Sequence, residues 1–282
     1  MLENLKIAVI GYGVMGKAIV YCLVNNGKLV TKNIQVSTPN LDQLKLLKKD
    51  LNIDGNTDNA EVIKNADIVI LAVKPQRLEQ VAKSINNSIR PDALVISIIA
   101  GVSLATLIEN LDVTQIIRAM PNTASQIGMG VTVWAKTAQV NEKQKCIASE
   151  IIHTFGEEVF VEDEGYLDMA TALSGTGPAY VFLFMESMID AGVHLGFPRR
   201  IAEKLVVQTI RGSTEFYLQN HEHPASLRND VTSPGGTSAE ALYYLEKAGF
   251  RTAISRAIWA AYERSIELGK GKTNLVIENK IE

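Results

Sequence analysis

The chain has 282 residues, 46% of them apolar, with 28 basic against 31 acidic side chains and a formal charge of -3. That length and apolar content suit two domains with sizeable cores and exclude a disordered chain, while the interspersed charge offers no footprint for nucleic acid or an anionic membrane. The N-terminal apolar run is short and broken by glycines, which fits neither a membrane span nor a signal-cleavage pattern, so a soluble, cytoplasmic protein is expected.

In chain order, the first half alternates short apolar runs with helical patterns. "KIAVI" reads as a strand and runs into "GYGVMG", which opens a helix toward Asn25. Gly11 suits a tight turn, Gly13 a close approach of backbone to pyrophosphate, and Gly16 close helix-strand packing, so Gly11 to Gly16, with Tyr12, Val14 and Met15 between the glycines, form a candidate dinucleotide loop. "NIQVS" is the second strand. In "QVSTPN" at its end, Ser37, Thr38 and Asn40 stand where NAD-preferring sites place an acid, so NADPH is the expected cofactor. No Arg lies in that loop for a 2′-phosphate, and NADH is expected to be accepted as well.

Leu41 to Lys49 and Arg77 to Ile89 suit amphipathic helices. "DIVILAV", "ALVISIIA", "TQIIRAM", "VTVWA" and "EEVFV" read as further strands, several of them continuous Ile/Val/Leu blocks as in parallel strands covered on both faces. "VKP" (Val73 to Pro75) and "MPN" (Met120 to Asn122) each follow such a strand, at the sheet edge where doubly wound folds bind ligands. Residues 1–163 are therefore expected to form a Rossmann-like, doubly wound α/β domain. Cys22 and Cys146 sit in helical patterns and read as core thiols. His153, His194, His221 and His223 lack metal-ligand spacing, and no metal is expected.

From Glu164 the texture is helical, with no convincing strand, and residues 164–282 are expected to form an all-helical substrate-binding and dimerisation domain. A helix opening at Pro178 is apolar on nearly every face and is expected to be deeply buried, within the subunit and between subunits. A second runs from Pro198 to about Asn220. A last one places Ile254, Ala257, Ile258, Ala261 and Tyr262 on one face, and the tail after Lys270 is expected to fray. Between them, "SPGGTSAEAL" sets Gly235 and Gly236 against a helix start, a way of presenting N–H groups at Gly236, Thr237 and Ser238 to an anion. Thr237 and Glu240 also have capping-box spacing.

"GYGVMG", "AVKP", "RAMPNT", "SGTGPAY" and "SPGGTSAEAL", in this order, resemble pyrroline-5-carboxylate reductase, the enzyme of the last step of proline synthesis, over roughly residues 5 to 270. The resemblance implies an N-terminal Rossmann domain and a C-terminal helical domain that forms a homodimer, in some members a ring of dimers. It implies reduction of 1-pyrroline-5-carboxylate to L-proline with NADPH. It also implies cofactor contacts at Asn59, Ala72, Val73, Lys74, Pro75, Ala119, Met120, Pro121 and Asn122, and substrate contacts at Gly175, Gly177, Pro178, Gly235, Gly236, Thr237 and Ser238.

Among related two-domain dehydrogenases, β-hydroxyacid dehydrogenases follow roughly GxGxxxKxxxN. On Gly175 and Gly177 that pattern puts Val181 at the Lys position and Met185 at the Asn position, leaving no acid or base there for alcohol oxidation. Reduction of a protonated C=N bond asks mainly for positioning. Thr237 and Ser238 are then the expected catalytic pair. The family's Thr at 238 is Ser here, which keeps the hydroxyl that reaches the ring nitrogen and loses the methyl that fixes it. A non-catalytic NADP-binding redox sensor is the alternative from another class, and the anion site at Gly236 to Ser238 argues against it.

Overall fold

The computed structural model describes residues 2–26, 29–85 and 87–269. Among them, eight strands form one sheet: β1 (Ile7–Ile10), β2 (Ile34–Ser37), β3 (Asp54–Asn56), β4 (Ile68–Leu71), β5 (Leu94–Ser97), β6 (Ile116–Met120), β7 (Gly130–Lys136) and β8 (Gly156–Phe160). Their spatial order is β3-β2-β1-β4-β5-β6-β7-β8. The helices of this part are α1 (Val14–Asn25), α2 (Leu41–Leu51), α3 (Asn59–Ile63), α4 (Leu78–Ile85), α5 (Leu104–Leu111), α6 (Glu142–His153) and α7 (Tyr166–Ala170). A π-helical turn, Thr171–Gly175, follows, and then α8 (Gly177–His194), α9 (Arg199–Asn220), α10 (Pro224–Asp230), α11 (Thr237–Lys247) and α12 (Phe250–Gly269).

The continuous apolar strands are explained by the two cores. Ile7 and Val9 of β1, like Ile68 and Ile70 of β4, join one buried cluster. Ala8, Ile10, Val69 and Leu71 join another. Because alternate side chains leave a strand on opposite faces, a sheet buried on both faces needs an apolar residue at every position. Capping residues start the surrounding helices: Asn40 accepts from the Asp42 and Gln43 N–H groups, Ser103 from Thr106, and Asn141 forms a capping box with Gln144.

All seven strands expected from the sequence are present. The eighth, β3, is the fully exposed sequence Asp-Gly-Asn at the sheet edge. Its polar composition carries no apolar signal, and a short polar strand is a common way to blunt an edge. The expected parallel pairing fails at one place: β6 and β7 run antiparallel. The segment between them holds only a short 3-10 turn, Thr123–Ile127, whereas a parallel return needs a full crossover. α4 ends at Ile85, short of the expected Ile89, and Asn87 stands at φ 60.

Residues up to Thr176, together with those from Ala261 on, form one compact unit, and Gly177–Ala260 form a second. The expected domain division at 163/164 follows the change from mixed to helical sequence. The first compact unit continues past it because buried Arg118 of β6 ion-pairs with Glu164 (3.3 Å) and Asp168 (3.0 Å), and Ser265 of α12 donates to Asp168 (2.8 Å). No strand follows Glu164 among the described residues, and the tail expected to fray lies outside them.

Two burial expectations are corrected. Cys22 is buried, and burial pushes its thiol pKa up, but Cys146 is exposed on α6. α8 has no residue buried within the chain: Phe182 is 61% and Leu183 65% exposed. Helical stretches that are apolar all round do not reveal whether the covering surface belongs to the same chain.

Candidate functional site

The strand order reverses at β1, which has β2 on one side and β4 on the other. Such a switch point leaves a crevice at the C-terminal ends of the strands. Gly11 ends β1 with φ 99, and a Cβ there would lie 2.6 Å from the Ala72 carbonyl oxygen at the end of β4. Glycine thus supplies both the conformation and the close approach. The Gly11 N–H donates to the Ser37 carbonyl (2.9 Å), and the Ala72 N–H to the Ile10 carbonyl (2.8 Å), drawing the three strand ends together.

Gly13 is the N-cap of α1, with no side-chain cap and no acid in the first turn. A Cβ on Gly13 would meet nothing within 4 Å. The first intrahelical bond is that of Lys17 to the Gly13 carbonyl, so the N–H groups of Val14, Met15 and Gly16 point out of the helix end unspent. Gly16 packs on the Gly11 carbonyl, as expected from the motif. The Tyr12 side chain turns elsewhere, into a cavity with Lys17, Gln43 and Asp50, where burial and then Asp50 raise its pKa. For Tyr12, only the backbone remains at the loop.

A cavity of about 440 Å3 opens beside Gly11, lined by Ser37 at the end of β2 and Pro39 after it, Thr57 and Asn59 around the start of α3, and Val73 after β4, with Arg77, Gln80 and Ser84 from the far wall. The Ser37 hydroxyl bonds to Asn59 Oδ1, and Asn59 Nδ2 donates to the Ser84 hydroxyl (2.8 Å). Asn59, expected only by resemblance, is thereby placed at the cavity that receives the end of β2. Thr38 is not among its lining: its buried hydroxyl donates to Gln43 Oε1 (3.0 Å).

Beyond β4, exposed Lys74 precedes a 3-10 turn begun by Pro75. At the end of β6, Ala119 is packed in the core, and Pro121 is buried behind Met120. Asn122 Oδ1 is buried with no hydrogen-bond partner among the described residues. An orphaned acceptor at a strand end is costly unless a ligand or water donates to it. Gly175 reaches the same strand end: a Cβ on it would sit 2.7 Å from Met120 Cε. The open cradle at Gly13, the unspent α1 donors and the Asn122 oxygen fit a dinucleotide.

In the second unit, Gly177 and Pro178 open α8. Gly235 adopts φ 72 and turns the chain into α11. The expected capping box is absent: Gly236 is the N-cap, no side chain caps the helix, and Thr237 is its first residue. The Gly236 N–H is taken by the Ser233 carbonyl (3.0 Å). The donors left at this helix end are therefore Thr237, Ser238 and Ala239, a shift of one residue from the sequence expectation. The Thr237 and Ser238 hydroxyls bond to no other described residue, and Ser238 is the more enclosed of the two.

Sequence reasoning missed Gln80 and Ser84, because the apolar spacing of α4 marks its core face and not the face lining the cavity, and it missed Thr57 and Arg77, which lie in the turns ahead of α3 and α4 where no apolar pattern runs. It also missed the Arg118 ion pairs, whose partners lie 46 and 50 residues away.

Residues 164–268 match the pyrroline-5-carboxylate reductase dimerisation family, and residues 6–101 match the family described as NADP oxidoreductase, coenzyme F420-dependent. The chain is 41% identical over 268 residues to pyrroline-5-carboxylate reductase from Synechocystis sp., covering 95% of this chain and 99% of that protein. It is 39% identical over 266 residues to the Escherichia coli protein of the same name, with 94% and 98% covered. The crystal structure of Plasmodium falciparum pyrroline carboxylate reductase with NADP bound superposes with a TM-score of 0.88 at 34% identity, covering 95% of this chain and 100% of that one. The motifs sit where the fold needs them and the likeness extends through both units: the chain belongs to the pyrroline-5-carboxylate reductase family.

Proposed function

We propose that the protein reduces 1-pyrroline-5-carboxylate to L-proline with NADPH. The observation that carries this reading is whole-length similarity to reductases of that name, joined to a formed dinucleotide crevice. When bound, the nicotinamide cofactor supplies the hydride that reduces the C=N carbon. The chain's own residues bind and orient. The α1 N-terminus, through Gly11, Gly13 and the N–H groups of Val14 to Gly16, holds the pyrophosphate. Val73, Lys74, Pro75, Met120, Pro121 and Asn122 shape the strand-end crevice, with Asn122 Oδ1 free to accept from the carboxamide. Gly175 keeps that region free of bulk, and Gly177 and Pro178, at the start of α8, are assigned to the substrate.

At α11 the unspent N–H groups of Thr237 and Ser238 suit the substrate carboxylate. The Ser238 hydroxyl is assigned to the ring nitrogen, with Thr237 beside it. A protonated cyclic imine becomes a neutral amine on accepting hydride, so no side chain need abstract a proton from carbon, and the work is orientation and electrostatics. The neutral Ser37–Asn59 pair in place of an acid supports preference for NADPH, with NADH as a poorer cofactor. The exposed apolar face of α8 and the match to a dimerisation family support a homodimer through the helical unit, from which rings of dimers can be built. Among the described residues no helix is long and apolar enough to cross a membrane, and we assign the enzyme to the cytoplasm. Purified protein is expected to oxidise NADPH only when pyrroline-5-carboxylate is present, with proline as product and a lower KM for NADPH than for NADH. Absence of imine-dependent oxidation overturns the function, and equal or better use of NADH overturns the preference.

A further inference from the structure

The loop after β2 carries no basic residue, yet the cavity it helps to form does contain one. Among the described residues that line it, Arg77 is the only cation, brought from the turn between β4 and α4 to the space that Ser37 and Asn59 face. The one acid in the lining, Asp58, is committed to capping α3, where its carboxylate accepts the Ala60 N–H at 2.9 Å. Arg77 is exposed and has no carboxylate partner among the described residues; it donates one bond, to Gln80 Oε1 at 2.6 Å. A guanidinium has five N–H donors in a planar fork that matches phosphate oxygens two at a time. Ser37 and Asn59 stand at the end of the second strand, where a ribose is held in this type of fold.

We propose that Arg77 is the specificity-determining residue of the cofactor site, recognising the 2′-phosphate of NADPH across the cavity from Ser37. The proposal rests on the cofactor reading above. Because Arg77 lies on the surface, its replacement leaves the fold intact, and its effect is selective for the phosphate.

Calorimetric titration of the full-length protein with NADPH, NADH, 2′,5′-ADP, 5′-AMP and inorganic phosphate tests this, comparing the parent with R77Q and R77K. The parent is expected to bind 2′,5′-ADP more tightly than 5′-AMP. In R77Q, the Kd values for NADPH and 2′,5′-ADP rise by about 10- to 100-fold, the loss of charge-assisted hydrogen bonds, while those for NADH and 5′-AMP move by less than about threefold. R77K, which keeps the charge without the fork, falls between the two. NADPH affinity within threefold of the parent in R77Q overturns the proposal, as does a parallel loss for NADH, which marks a structural role. Inorganic phosphate binding as tightly as 2′,5′-ADP marks a site for free anions and also overturns it. These failures leave imine-dependent turnover by the parent untouched. A parent that binds no dinucleotide and shows no such turnover brings down the functional reading and the proposal together.

Discussion

Thr237 and Ser238 are adjacent hydroxyls at one helix end, and their places on α11 assign them different effects. Gly236 occupies the cap with φ -82 and ψ 169, so Thr237 already lies inside the helix and its side chain caps nothing. Thr237→Ala is therefore expected to change stability by less than about 0.5 kcal/mol, where loss of a true cap costs roughly 0.5 to 2 kcal/mol. Ser238→Ala is expected to leave the melting temperature in place and to lower kcat/KM by roughly 10- to 100-fold, the value of a hydrogen bond to a charged group. Ser238→Thr, whose β-branch fixes the hydroxyl, should be neutral or mildly favourable. Full activity in Ser238→Ala refutes the hydroxyl's role and leaves only the backbone donors. The one-residue error in placing the cap has a definite origin: T-x-x-E spacing describes a capping box only if Thr is extended, and here the Ser233 carbonyl binds the Gly236 N–H and winds the chain one residue early. Sequence spacing does not contain that bond.

Strand ends, rather than whole strands, carry the candidate site, and two glycines that pack against strand ends should respond differently to a methyl group. Gly11→Ala meets backbone, the Ala72 carbonyl, at a φ that L residues avoid. It is expected to cost about 1 to 3 kcal/mol and to weaken NADPH binding by separating β1 from β4. Gly175→Ala presses only on Met120 Cε, the movable tip of a side chain, and meets the Ala170 carbonyl at ordinary contact distance. Its stability loss should stay below about 1 kcal/mol, while the displaced Met120 raises the cofactor KM. Denaturant unfolding paired with steady-state kinetics separates the two, and similar stability losses for both variants would contradict this assignment. Arg118→Ala strands two partly buried carboxylates and is expected to cost about 3 kcal/mol. The apolar strands and the glycine loop were legible because each rests on a local rule, alternation across a sheet or a turn that only glycine makes. β3, whose three residues are all exposed, and the antiparallel β6–β7 pair were not, since edge position and connection length belong to the assembled sheet.

At the scale of the molecule, α8 carries apolar side chains that the chain by itself leaves uncovered. Phe184 packs on Phe250 with ring centroids 6.3 Å apart yet remains 41% exposed, beside Phe182 and Leu183. Monomeric proteins rarely leave such a contiguous patch uncovered. Phe184→Asp is expected to lower the yield of soluble dimer as well as activity, measured by light scattering at micromolar concentration, and a well-folded, active monomer is incompatible with the dimer reading. The succession of a mixed α/β part and a helical part was legible from the change of texture along the chain. The return of the chain from Ala261 into the first unit was not, because it depends on pairings such as Ser265 with Asp168 across 97 residues. That return has a consequence for the order in which the protein is made. The last turns of α12 complete a unit whose other residues are synthesised first, so Asp168 waits for Ser265, and Gly101, against which Gly269 packs, waits for the end of the helix. On a ribosome the first unit is thus emitted early but finished late, only once residues out to Gly269 are free to fold back onto it, and chaperone contact with nascent chains should persist until then.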